Sequence, residues 1–156
     1  MTTMPTNIID IFDLLADKSF AVQLRWIDDP LKLPASKGVY VLHLTLEHKT
    51  TITGGAMSEQ TFEAGHYFYV GSAKGSGGLL ARLSRHWRTD KAKKRHWHID
   101  YLQDEMRLKG CWVTTDDHLS ECELAEVFGK SECQAIGHLG SSDCDCPSHV
   151  FYLPFA

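Results

Sequence analysis

The chain has 156 residues, of which 43% are hydrophobic and 10% aromatic, and this favours one compact domain over two domains or a disordered tail. It contains no run of 18 apolar residues, and its first ten residues lack the basic and apolar regions of a signal peptide, so we expect a cytoplasmic protein that makes no use of a membrane. Five cysteines without an export signal argue against a disulfide framework.

Charge is distributed unevenly along the chain. The net charge of −4 is not typical of nucleic-acid-binding domains, which are usually basic overall. The window from Arg82 to Arg95, however, holds seven lysines or arginines and one acid, Asp90, for a local charge of +6. One basic surface on an otherwise acidic protein is therefore predicted.

The first 35 residues are predicted to form an N-terminal helix and a connector. Apolar residues recur at helical spacing from Ile8 to Leu15, with Asn7 as a candidate N-cap. The stretch "DDPLKLPASKG" then carries two prolines and a glycine, which is typical of a connector. We place the core domain at residues 36–156.

Two segments show the period-two pattern of strands. "GVYVLHLTL", residues 38–46, alternates, and "HYFYVGSA", residues 66–73, follows the same rule. We expect the two to pair as antiparallel strands. The polar stretch from Glu47 to Gly65 lies between them, and its "TTIT" and "GG" predict a hairpin excursion.

Three later segments have the apolar spacing of helices: residues 78–88, 95–106 and 118–130. A short strand, "CWVTT", lies between the last two, and a polar loop at residues 137–149 leads to a terminal strand. Mixed helices and strands with antiparallel pairing predict the α+β class.

The order of five short blocks resembles a known nuclease superfamily. "GVY" at 38–40, "YVG" at 69–71, "RLSRH" at 82–86 and a glutamate on a later helix resemble the GIY-YIG nucleases. The blocks "YVGSA", "RHWHIDYL", "ECELAE" and "GSSDCDCPSHVFY" more closely resemble a branch described as a domain of unknown function, sometimes found beside a DNA-repair glycosylase. The resemblance covers residues 36–155. It implies a small sheet of three antiparallel strands flanked by helices, and metal-dependent cleavage of a phosphodiester.

The resemblance assigns roles to residues of both strands and of the first helix. Tyr40 corresponds to the general base, Arg82 to the cation on the phosphate and Tyr69 to a residue that orients substrate or Tyr40. Gly71 lets backbone or phosphate approach closely because it has no Cβ. A tyrosine with an ordinary pKa of about 10 needs nearby positive charge to act near neutrality, and we expect Arg82, His86 and a bound metal to supply it.

His86 is open to two interpretations, since a histidine one turn after Arg82 can exchange a proton or contact phosphate, or can lie on the helix surface. His98 is preferred over His96 as the next candidate substrate contact. Lys91 and the remaining basic residues are predicted to bind nucleic-acid backbone or to be solvated; those assigned to substrate are Arg85, Arg88, Lys93, Lys94 and Arg95.

The metal ligand is predicted to be Glu121, which shares its side of the third helix with Leu124 and Phe128. Glu123 stands three residues after Ser120, the spacing of a capping box. If the helix begins at residue 117 instead, Glu123 returns as a candidate. A lone carboxylate completed by water and phosphate suits Mg²⁺, with Mn²⁺ as the other candidate metal.

The tail "SSDCDCPSH" allows two interpretations. Cys144, Cys146 and His149 could ligate zinc, but Cys-x-Cys is tighter than the usual spacing and a fourth ligand is missing. A polar loop that places Ser142, Asp143 or His149 at the rim of the site is the other interpretation.

Three functions are therefore compared. The leading one is a metal-dependent endonuclease acting on DNA, at a lesion or an unusual structure. The second is a DNA-binding accessory domain that has kept the fold without turnover. The third is a small structural zinc domain built on the cysteine tail.

Overall fold

The computed structural model describes residues 24–54, 57–87, 98–116, 120–129, 133–136 and 148–155. The predicted N-terminal helix therefore lies outside the described residues. The helices are α1, Gly78–Trp87; α2, His98–Gln103; and α3, Glu121–Gly129. The strands are β1, Arg25–Ile27; β2, Gly38–Leu46; β3, Thr50–Gly54; β4, Met57–Phe62; β5, Gly65–Ala73; β6, Arg107–Thr114; β7, Gln134–Ala135; and β8, Val150–Leu153. Among the helices that the structure describes, none is both long enough and apolar enough to cross a membrane.

The main sheet has six strands in the order β1-β6-β2-β5-β8-β7, and every neighbouring pair is antiparallel. The predicted α+β class is confirmed, whereas the predicted count of three strands is wrong. The edge strands β1 and β7 have three and two residues, too few to show a period-two pattern. Pairing with β6 and β8 holds them in the sheet.

The predicted pairing of the two long strands is confirmed. β2 and β5 run antiparallel from Gly38↔Ala73 to Leu46↔Gly65, with Tyr40 opposite Gly71. Because side chains alternate across a strand, Tyr40 and Leu42 face one side of the sheet and Val39 and Val41 the other. Both sides are covered by packed side chains. Seven of the nine β2 residues are buried, and the other two, Gly38 and Thr45, have intermediate exposure.

Two hydrophobic cores lie on the two sides of the sheet. On one side α1 and α2 pack through Leu83 and Ile99, and the predicted hairpin, β3 with β4, adds Ile52. On the other side α3 packs through Leu124 and Phe128. The sheet therefore holds α1 and α3 on opposite faces, and any site that uses both helices must lie near the end of a strand.

The segment before β2 fixes the start of α1. The backbone N–H groups of Leu79 and Leu80 donate to the carbonyls of Ser36 and Pro34 at 2.9 and 2.8 Å. Gly78 has a φ of +56°, and a Cβ there would collide with the Ser36 backbone. Residues of the predicted connector thus set the position of α1 over the sheet.

A buried pair of histidines lies on the α3 side of the sheet. His43 Nε2 is 2.9 Å from His66 Nδ1, and the His43 ring stacks on Phe68 with 5.4 Å between ring centroids. Burial is the main cause that lowers the pKa of His43 to about 3, followed by the nearby His66 and Lys109. The folded protein therefore holds His43 neutral well below the pH at which a free histidine takes up a proton.

We expect the free energy of unfolding to fall as pH drops from about 6.5 towards 3, because the unfolded chain binds a proton that folded His43 excludes. The loss should be on the order of 2 kcal/mol at pH 4.5, and His43→Phe should remove much of it. Urea unfolding at pH 7 and pH 4.5 measures the difference. The exposed-residue control His48→Gln should behave as wild type, and an equal loss in His43→Phe would contradict the assignment.

Candidate functional site

The centre of the site is a hydrogen bond between a strand and a helix. Tyr40 of β2 faces α1, and its hydroxyl lies 3.1 Å from Nε2 of His86. Both side chains are buried, each with 1% of its surface exposed. Tyr69 of β5 contacts the same pair, with ring centroids 6.4 Å from Tyr40 and 6.3 Å from His86. The interpretation of His86 as a surface residue is therefore wrong.

The other nitrogen of His86 contacts α2. Nδ1 lies 3.2 Å from Oε1 of Gln103, and Nε2 of Gln103 donates to the backbone carbonyl of His86. Gln103 thus holds both the ring and the backbone of the same histidine. Gln103 is a residue that the sequence analysis missed, because a glutamine at a helix end carries no signal of its own.

The pKa of Tyr40 is raised well above its ordinary value. Burial is the largest cause and the Tyr69 hydroxyl the next, while the charge of Arg82 and its hydrogen bond with Tyr40 act in the opposite direction. The carboxylate of Glu121 adds a smaller rise. Burial therefore outweighs the charge of Arg82, and Arg82 by itself does not lower the pKa of Tyr40 towards neutrality.

Gly71 makes room for the Tyr40 side chain. It lies opposite Tyr40 in the sheet, and a Cβ built on it would lie 2.5 Å from the tyrosine hydroxyl and 2.6 Å from Cζ. No real Cβ tolerates such a contact, so any larger residue would displace the ring. Glycine at this position is a condition for the Tyr40–His86 hydrogen bond.

Arg82 borders a pocket of about 150 Å³. Gly75 and Ser76 of the turn before α1 line one part of it, and Arg82 and Arg85 line another. Arg82 is partly buried and also acts on the Tyr40 hydroxyl, so it links the pocket to the Tyr40–His86 pair. A guanidinium group at the edge of a pocket suits an anion such as phosphate.

Arg85 also forms an ion pair with α2. Its guanidinium donates to both oxygens of Asp100 on α2, at 2.7 and 2.8 Å, and the Asp100 side chain is fully buried. A bidentate pair of this kind positions both side chains. The sequence predicts Arg85 as a contact to nucleic-acid backbone, and the structure adds the ion pair that ties α1 to α2.

Glu121 lies at the start of α3, and its carboxylate has two contacts. Ser72 of β5 donates to Oε1 at 3.2 Å, and Oε2 is 3.5 Å from Nδ1 of His149. Burial lowers the pKa of His149, while the Glu121 charge and a hydrogen bond with the Val70 backbone act in the opposite direction. The Glu121 side chain is 31% exposed, so its carboxylate also reaches solvent.

Glu123 has the structural role that its spacing predicts. The Ser120 hydroxyl accepts from the backbone N–H of Glu123 and donates to its carboxylate, both at 3.1 Å. This interaction caps α3, which begins at Glu121. Glu123 is thereby held away from the sheet, and Glu121 remains the candidate metal ligand.

Most of the other predicted site residues lie outside the described part of the chain. Of the basic residues assigned to nucleic-acid backbone, these lie outside the described residues: Arg88, Lys93, Lys94 and Arg95. His98 begins α2, but its side chain is not described. The zinc candidates Cys144 and Cys146 also lie outside, while His149 contacts Glu121.

The oxygen donors of Glu121 are of the kind that Mg²⁺ takes as ligands. Within the part of the chain that the structure describes, no group of three or more histidines, cysteines, aspartates or glutamates could hold a metal ion. A solvent-reaching carboxylate offers the hard oxygen that Mg²⁺ prefers, and Mg²⁺ keeps several waters and takes phosphate oxygens as further ligands.

Comparison with known proteins identifies the family of the chain. A family model described as Domain of unknown function DUF123 matches residues 39–156. The chain belongs to this family. The matched range contains every candidate catalytic residue and begins within β2, so the family includes the strand and helix that meet at Tyr40 and His86. Comparisons with curated proteins and with solved structures find no match.

We expect Gly71→Ala to destabilise the fold by about 1–3 kcal/mol, because the added methyl overlaps the Tyr40 ring. Urea unfolding monitored by circular dichroism measures the change. Gly75→Ala is the matched control, since a Cβ there meets no atom within 4 Å. Equal stability of the two variants would show that the space above Gly71 is not tightly filled.

We expect Arg85→Ala to lower the free energy of unfolding by about 3 kcal/mol, because it leaves the buried Asp100 carboxylate without its guanidinium. Thermal and urea unfolding measure the loss. Arg107→Ala, at an exposed position of β6, should change stability little. A loss in Arg85→Ala no larger than in this control would mean that the ion pair does not support the fold.

Proposed function

We propose that this protein is a metal-dependent DNA endonuclease of the GIY-YIG type, in which Tyr40 is the general base, Arg82 binds the phosphate and Glu121 holds the metal. The observation that carries the proposal is the buried hydrogen bond between Tyr40 and His86, with Arg82 acting on the same hydroxyl. A tyrosine that serves packing alone does not require a histidine and an arginine at its hydroxyl.

The position of the resemblance blocks in the fold supports the proposal. The "GVY" block lies on β2 and the "YVG" block on β5, which are paired neighbours. The "RLSRH" block lies on α1 over the same side of the sheet. Three separate blocks, spread over residues 38–86, thus converge on one hydroxyl, which packing alone does not require.

The proposed reaction uses Tyr40 as a proton carrier rather than as a preformed phenolate. The hydroxyl oxygen of Tyr40 takes a proton from the attacking water while its own proton passes to Nε2 of His86, 3.1 Å away. The water oxygen bonds to phosphorus, and the bond from phosphorus to the leaving oxygen breaks. The leaving oxygen takes a proton from solvent, and His86 returns its proton to solvent.

Arg82 supplies the fixed positive charge. Arg82 both lines the pocket and acts on the Tyr40 hydroxyl, which lets it contact a phosphate oxygen as negative charge develops there. A divalent metal, when bound, would stabilise the same charge and the leaving oxygen. In the chain, Glu121 would hold that ion, with Ser72 and His149 fixing the carboxylate.

The basic residues that follow α1 in the chain support DNA as the partner. Phosphate contacts from lysines and arginines give affinity without sequence preference, which agrees with cleavage directed by a lesion or an unusual structure.

The proposed compartment is the cytoplasm.

We expect the wild type to cut at least one member of a panel of labelled DNAs in Mg²⁺ or Mn²⁺; the panel holds single-stranded, duplex, nicked, flap, branched and abasic substrates. Removing the base, the phosphate cation or the metal ligand should in each case lower the rate by about 10²-fold or more. The variants are Tyr40→Phe, Arg82→Ala and Glu121→Gln.

Two matched variants serve as controls. Tyr67→Phe removes a buried tyrosine hydroxyl that donates to the Glu63 carbonyl, away from His86, and should keep the activity. Glu123→Gln changes the capping carboxylate on the same helix as Glu121 and should also keep it. Cleavage by the folded Tyr40→Phe variant at the wild-type rate would contradict the proposal. Salt-dependent DNA binding without any cleavage would favour the accessory domain instead.

A further inference from the structure

Two polar side chains on α2 contact two consecutive residues of α1. Asp100 binds Arg85, and Gln103, three residues later, contacts His86, the next residue of α1. The first pair is an ion pair that holds the helices together. The second pair instead contacts the imidazole that is hydrogen-bonded to Tyr40.

The orientation of the Gln103 amide follows from its own contacts. Its Nε2 group lies against the backbone carbonyl of His86, which can only accept a hydrogen bond, so the amide nitrogen must be on that side. The carbonyl oxygen Oε1 is then the atom that faces Nδ1 of the imidazole, at 3.2 Å. The reverse orientation would bring two oxygens together.

The amide orientation in turn decides which ring nitrogen of His86 carries the proton. Oε1 of Gln103 can only accept, so a neutral His86 must carry its proton on Nδ1. Its Nε2 then has a free electron pair towards Tyr40, and the tyrosine hydroxyl donates to it over 3.1 Å. In the opposite tautomer the lone pair of Nδ1 would face the lone pairs of Oε1.

We propose that Gln103 is a positioning residue that holds His86 in the Nδ1–H tautomer, so that Nε2 can accept the proton of Tyr40. The catalytic consequence rests on the proposed endonuclease function, whereas the tautomer is a property of the folded chain and is measured without substrate. Gln103 contacts neither water nor phosphate in the proposed reaction. It acts through His86.

Two substitutions of Gln103 should have different effects on the position of the His86 proton. Gln103→Leu removes the acceptor, and a neutral imidazole in water prefers the Nε2–H form, so the proton should move to Nε2. His86 would then donate to Tyr40 and could not take its proton. Gln103→Glu keeps an oxygen acceptor at Nδ1 and should keep the proton there.

The first experiment is a long-range ¹H–¹⁵N correlation spectrum of the histidine rings in full-length protein near pH 7.5. We expect the His86 ring, identified by the signal lost in His86→Asn, to show the Nδ1–H pattern in wild type and in Gln103→Glu. In Gln103→Leu it should show the Nε2–H pattern or a mixture. Gln134→Leu, at an exposed position of β7, is the control and should match wild type.

The second experiment compares cleavage rates of the same variants on the substrate that wild type cuts. We expect Gln103→Leu to lower kcat by about tenfold to a hundredfold with little change in KM, and Gln103→Glu to recover most of the rate. Equal rates in Gln103→Leu and wild type would overturn the positioning role. So would a wild-type His86 in the Nε2–H form.

The two experiments separate the two proposals. If wild type cuts no DNA but His86 is in the Nδ1–H form and loses it in Gln103→Leu, the tautomer assignment holds and the endonuclease function fails. If Gln103→Leu does not fold, the spectrum of the wild type still tests the assignment, because a wild-type His86 in the Nε2–H form would overturn it.

Discussion

The hydrogen bond from Tyr40 to His86 is the contact on which the arrangement of the site depends. It joins the central strand β2 to α1, and both side chains are buried, so neither can turn to water if the other moves away. Two features of the chain make it possible. Gly71 leaves space for the tyrosine ring, and the carbonyls of Pro34 and Ser36 hold the first turn of α1 so that His86 reaches the hydroxyl.

Burial gives the site its electrostatic character. Polar groups in a protein interior must be paired, and here the pairing is supplied by α2, whose Asp100 and Gln103 contact consecutive residues of α1. The same burial keeps the Tyr40 hydroxyl protonated in spite of Arg82. A tyrosine in such a setting can exchange protons only if an acceptor lies beside it, and His86 occupies that position.

The carboxylate of the site comes from the opposite side of the sheet. α1 and α3 pack on different faces, yet Glu121 is close enough for its charge to act on Tyr40. The end of β5 explains this, because Ser72 contacts Glu121 and Gly71, its neighbour, lies opposite Tyr40. Since neighbouring strand residues face opposite sides, one short segment of β5 serves both helices.

Local patterns alone determined much of this protein. The alternation along β2 and β5 predicted their pairing, and the Ser120–Glu123 spacing predicted the cap that leaves Glu121 for the site, because these features depend on neighbours in the chain. The edge strands β1 and β7, the ion pair of Arg85 and the role of Gln103 were decided only by the tertiary structure. The raised pKa of Tyr40 was also decided only by the tertiary structure. The pairing of a short strand, the partner of a buried charge and the pKa of a buried group all depend on residues that are distant in the chain. The spacing of residues in the sequence does not predict these contacts.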